Sequence, residues 1–71
     1  MAEDVKAHIT GVVFQVTAKA GDAVAAGDPV IVLESMKMEI PVEAPRAGMV
    51  REIRVAEGQT VQEGETVAVL E

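Results

Sequence analysis

The chain has 71 residues and a formal net charge of −6, with no Cys, Trp or Tyr and a single Phe, Phe14. This length supports one domain with a simple core and a thin margin of stability. The acidic balance argues against nucleic-acid binding, which needs a basic face for the phosphates, and the lack of cysteine excludes a disulfide framework or a thiolate metal site.

The N-terminal stretch MAEDVKAHITGVVF is acidic early and carries no long apolar run. It reads neither as a signal peptide nor as a membrane segment, and the expected setting is cytoplasmic. The apolar mass is β-branched, dominated by Val, which suits a pleated, half-buried surface. Strands are predicted at 4–7, 11–18, 23–24 and 30–34, then at 39–43, 48–55, 60–61 and 66–70. Gly21-Asp22 and Gly27-Asp28 read as turn chemistry between them; the ligand spacing of a calcium loop is missing. Pro41 and Pro45 bracket the fifth strand, which must therefore lie at a sheet edge or end early. In MVREIRV, residues 49–55, alternation is visible but imperfect. No segment has a convincing helical period.

Laid on itself with a shift of 37 residues, ITGVVFQVTAKAGDAVAAGDPVIVLE matches RAGMVREIRVAEGQTVQEGETVAVLE without a gap. Identical pairs include Gly11/Gly48, Gly21/Gly58, Gly27/Gly64, Val30/Val67, Leu33/Leu70 and Glu34/Glu71. Two copies are too few for a solenoid but suit an internal twofold axis, with the same corners recurring in each half. The predicted fold is all-β: a flattened eight-strand antiparallel barrel, or two small sheets face to face with one half contributing to each. Residues 1–71 form one domain, with half-repeats at about 1–34 and 38–71. The link SMKM then lies at the end opposite the chain termini, as a hairpin between the fourth and fifth strands.

That hairpin breaks a local rule. Two-residue hairpins prefer primed turns, which need positive φ and favour Asn-Gly or Gly-Gly. VLESMKMEI has no Gly, Pro, Asn or Asp, and a left-handed Met or Lys costs roughly 1–2 kcal/mol. Such places are where function is to be sought. The prediction is positive φ at Met36, Lys37 or both, with the Lys37 amine standing clear of the barrel. Read as extended chain, Met36 and Met38 share a face opposite Lys37 and form an adaptable apolar collar. Read by themselves, these residues point first to an ordinary solvated surface lysine and gap-filling methionines.

ESMKMEI resembles the modification-site signature of biotinyl domains, whose core is Met-Lys-Met, and the flanking AGDAVAAGDPVIVLE and APRAGMVREIRVAEGQTVQEGETVAVLE are similar to that family's pattern over nearly the whole chain. The resemblance implies a barrel-sandwich hybrid fold and a carrier that is not itself an enzyme. A biotin ligase joins biotin to Lys37 as an amide. The arm then shuttles a carboxyl group between the active sites of biotin carboxylase and carboxyltransferase subunits. Lipoate on the same lysine is the alternative cofactor, and an unmodified barrel acting as an adaptor is the reading from another class. The gapless repeat leaves no room for the protruding loop of some acetyl-CoA carboxylase carriers. The chain therefore looks more like small free-standing biotin/lipoyl attachment proteins, or an excised terminal domain, and a monomer is expected.

Met36, Met38, Glu34, Ser35 and Glu39 flank the lysine as candidate recognition residues. Glu71 repeats Glu34 where no lysine stands, which favours a structural role for that position. Ser35 has no base nearby in sequence and is no candidate nucleophile. His8, the single histidine, cannot form a zinc site alone and reads as a surface residue at a strand end.

Overall fold

The computed structural model describes residues 2–71. Eight strands follow in order: β1 (Glu3–Lys6), β2 (Gly11–Val16), β3 (Ala23–Val24), β4 (Pro29–Ser35), β5 (Met38–Glu43), β6 (Gly48–Ile53), β7 (Thr60–Val61) and β8 (Thr66–Leu70). They form two antiparallel four-stranded sheets, ordered β1-β8-β6-β3 and β5-β4-β2-β7. The second, which carries the central bend, is called here the hairpin sheet. The body is elongated, with extents of 33 × 17 × 17 Å.

One expectation is corrected. The halves do not supply one sheet each. The centre of each sheet is a pair from one half, β2–β4 or β6–β8, and its two flanking strands come from the other half. The two-residue strands β3 and β7 explain this. Each leaves its half through a tight corner and pairs with the central strand of the opposite half, so each half completes the other's core. The core residues follow the same rule, in equivalent pairs such as Val5/Val42, Val13/Val50, Val30/Val67 and Leu33/Leu70, all essentially removed from water. No polar or charged side chain is buried among the described residues.

Four corners are built alike. Gly21, Gly27, Gly58 and Gly64 have φ of 95°, 90°, 87° and 88°, the third position of a type II turn. In each, the residue after Gly donates its N–H to the carbonyl three residues back: Asp22 to Lys19, Asp28 to Ala25, Gln59 to Ala56 and Glu65 to Gln62. The side chain of that same residue accepts the return N–H, as Asp22 Oδ2 does from Lys19 at 3.0 Å and Glu65 Oε1 from Gln62 at 2.9 Å. Each glycine N–H then crosses to the other half, Gly21 to Val50, Gly58 to Val13, Gly27 to Ala44 and Gly64 to Ala7. Asp, Gln and Glu are thus interchangeable here because all present an acceptor oxygen at turn distance. This confirms the turn reading of both Gly-Asp pairs.

β2 and β6 stop at Val16 and Ile53, two residues short of the predicted ends. Both are bulged, β2 between Val13 and Gln15 and β6 between Val50 and Glu52. A bulge places one extra residue on the outer face and resets the alternation. Val13 and Val16 therefore both face inward with Phe14 and Gln15 outside, and Val50 and Ile53 repeat the arrangement around Arg51 and Glu52. The irregular alternation of MVREIRV has this cause. β5 is an edge strand, as Pro41 within it requires, and it ends before Pro45.

Candidate functional site

β4 and β5 form a hairpin in which Ser35 pairs with Met38, leaving Met36 and Lys37 as a two-residue loop. Met36 has φ 53° and Lys37 φ 65°. Positive φ at both central positions is the type I′ pattern, whose twist matches that of the paired strands. Among non-glycine residues these two alone are left-handed in the described chain. The local cost is met by the long β4–β5 ladder, which runs from Pro29↔Glu43 to Ser35↔Met38 and fixes the loop from both sides.

The turn has no extended face, so the anticipated alternation of Met36 and Met38 around Lys37 does not apply. Met36 is 88% exposed and Met38 58% exposed. Neither fills a gap in the core; both leave apolar surface in water beside the lysine. Lys37 is exposed and makes no ion pair or hydrogen bond among the described residues. One rung below Ser35↔Met38, Glu34 pairs with Glu39, both exposed, and Ser35 is half-buried. Met36, Lys37, Met38, Glu34, Ser35 and Glu39 thus form a single apex. His8 lies apart, in an exposed bend after β1.

The opposite pole holds the termini. There Glu3 pairs with Leu70, and Arg46 bonds Glu3 Oε1 at 2.7 Å and the Glu71 carbonyl at 3.1 Å. Sequence reading missed Arg46, whose equivalent in the first half is Ile9 and which therefore carries no repeat signal. A groove of about 330 Å³ is lined by Thr17, Ala18, Asp22, Ala23, Val24, Asp28 and Pro29. Its two carboxylates already accept backbone N–H groups in their turns. Among the described residues no group of three or more His, Cys, Asp or Glu is arranged to hold a metal ion, and no helix is long and apolar enough to cross a membrane.

Two interlocked four-stranded sheets with an exposed lysine in a strained apical turn define a cofactor-carrier domain. The chain belongs to the biotin/lipoyl attachment family: the family described as biotin-requiring enzyme matches residues 2–70. It is similar to the biotinylated protein TB7.3 homolog of Mycobacterium leprae, with 47% identity over 99% of each chain. It is also similar to the biotin/lipoyl attachment protein of Bacillus subtilis, with 44% identity over 89% of this chain and 86% of that one. Among solved structures, the urea carboxylase of Kluyveromyces lactis matches all of this chain with TM-score 0.95 and 39% identity, and the chain spans 6% of that protein.

Proposed function

We propose that this biotin/lipoyl carrier domain carries biotin on Lys37 and moves a carboxyl group between a biotin carboxylase site and a carboxyltransferase site. The observation that carries this reading is the turn itself. A non-glycine pair is held left-handed at the tip of the β4–β5 ladder with its amine in solvent, where Asn-Gly would fold at lower cost. The strain is consistent with a demand for a side chain at that place rather than for a turn.

The residues present fit the group. An amine free of carboxylate partners is available to a modifying enzyme, and Met36 and Met38 give its surroundings a soft apolar character. At Nζ the reaction is a condensation: a carboxylate and the ammonium lose the elements of water, a C–N bond forms, and ATP supplies the driving force through the ligase. When bound, the group supplies a ring nitrogen that accepts and releases a carboxyl group. The domain supplies placement. A rigid body with one flexible arm raises the local concentration of the carried group at two sites in turn. The biotinylated and carboxylase relatives support biotin. Similarity to the biotin/lipoyl attachment protein of Bacillus subtilis keeps lipoate as the second reading.

Intact-mass measurement of protein made with an active biotin ligase and an active lipoate ligase tests this. One biotin adduct per chain, lost in Lys37→Arg, is expected. A lipoyl adduct selects the second reading, and an unmodified chain under those conditions overturns both.

A further inference from the structure

The two sheets are related by the internal repeat, yet their outer faces differ. On the outer face of the hairpin sheet, Val32 lies in register between Pro41 and the bulge pair Phe14 and Gln15. The next rung runs Glu39, Glu34, Val12, Thr60. Phe14 is 48% exposed and Val12 40% exposed, and Val32 is half-buried. At the equivalent positions of the other sheet, Val69 lies between Asp4 and Glu52, with Arg51 in the place of Phe14. There the valine is only 5% exposed.

The comparison separates fold from function. A bulge that accepts Arg51 in one half does not require an aromatic residue in the other. The single aromatic side chain of the protein therefore stands half in water at a position where the fold tolerates a charge. Large aromatic groups of this kind anchor protein interfaces. The charges are also unequal. The strands of the hairpin sheet carry Glu34, Glu39 and Glu43 and no basic residue, whereas Lys6 and Arg51 both lie on strands of the other sheet. An apolar centre rimmed by acids calls for a partner with an apolar patch bordered by Lys or Arg.

We propose that this face, centred on Phe14, Val32 and Pro41, is where the ligase that acylates Lys37 docks. The proposal rests on the carrier reading above. Reach selects the ligase among the partners of such a carrier. The bare amine is only four methylenes from the turn backbone, so the ligase body must come down onto the hairpin. Val32↔Pro41 is three rungs below Ser35↔Met38, about 10 Å at the rise of a strand. Once the arm is lengthened by its cofactor, the carboxylase sites need no such close approach.

The test is steady-state biotinylation by a purified biotin ligase with ATP and biotin, varying carrier concentration. Phe14→Arg, which copies the other half, is expected to lower kcat/KM at least tenfold, mainly through KM, with an unchanged melting temperature. Glu43→Lys, on the rim and remote from the turn, is expected to lower it severalfold, and added salt should slow the wild type. Arg51→Phe on the opposite sheet should leave kcat/KM within twofold. A wild type that is loaded while Phe14→Arg and Glu43→Lys are loaded equally well overturns the docking face alone. A wild type that takes no biotin overturns the biotin reading and the docking face together.

Discussion

Glu34 and Glu39 stand directly opposite one another across the β4–β5 hairpin, one rung below the pair that closes the Lys37 turn. Two carboxylates in register repel, and facing like charges weaken a sheet. Neither has a basic partner among the described residues. Together with the left-handed pair above them, they make the apex the place where this small protein departs most from what stability alone selects. Glu39→Gln should therefore stabilise the fold by about 0.2–1 kcal/mol while slowing modification of Lys37. Thermal melts and biotinylation rates measured on the same protein check both halves of this statement. A variant that is both more stable and modified at the wild-type rate removes the functional reason for the pair.

The turn has the same logic. Met36 holds φ 53°, a conformation that Asn visits readily and Met does not. Met36→Asn is expected to raise stability by up to about 1 kcal/mol, which for a domain of this size is a rise in melting temperature of about 4–8 °C. Lys37→Gly should do the same and abolish modification. Denaturant midpoints and intact mass give the two readouts.

Gly11 and Gly48 are equivalent by repeat but not by surroundings. A Cβ on Gly11 meets the Glu34 backbone carbonyl oxygen at 2.7 Å, whereas on Gly48 its nearest neighbour is the Arg46 guanidinium at 2.7 Å, the movable end of a long side chain. Gly11→Ala is accordingly expected to cost about 1–3 kcal/mol and to loosen β4 just below the lysine turn. Gly48→Ala should cost less. Urea unfolding of the two variants side by side tests the asymmetry, and equal costs contradict it.

Leu33 is fully buried and faces Val13 and Ile40 across the hairpin sheet. Leu33→Ala is expected to lose about 2–5 kcal/mol, a large share of the total stability of a domain this small. Because β5 pairs only with β4, loosening β4 should release the Lys37 hairpin early. Amide hydrogen exchange in residues 38–43 is the measurement, with faster exchange there than in β8.

Several features were legible from residue types alone. The glycine pattern and the gapless repeat placed all eight strands, because type II corners need glycine at the left-handed position and strand lengths follow from corner spacing. The positive φ of the central turn was legible through a contradiction: a loop of two residues must be left-handed, and none of the usual residues was available. The outward-facing residues of the two bulges were not legible. A bulge is a register error between two strands and has no signature in either one alone. The same holds for Arg46, which acts through partners 43 and 25 positions away.

The sequence by itself determined the class of fold, the equivalence of the halves and the singular character of Lys37, since these rest on local conformational preference and on repetition along one chain. Tertiary structure alone decided that each half lends its outer strands to the other's sheet. It also decided that Glu34 meets Glu39 and that Phe14 faces water where Arg51 does in the partner half. Those are relations between strands distant in sequence, set by which ladder hydrogen bonds close and which apolar faces meet, and they exist only once the chain has packed against itself.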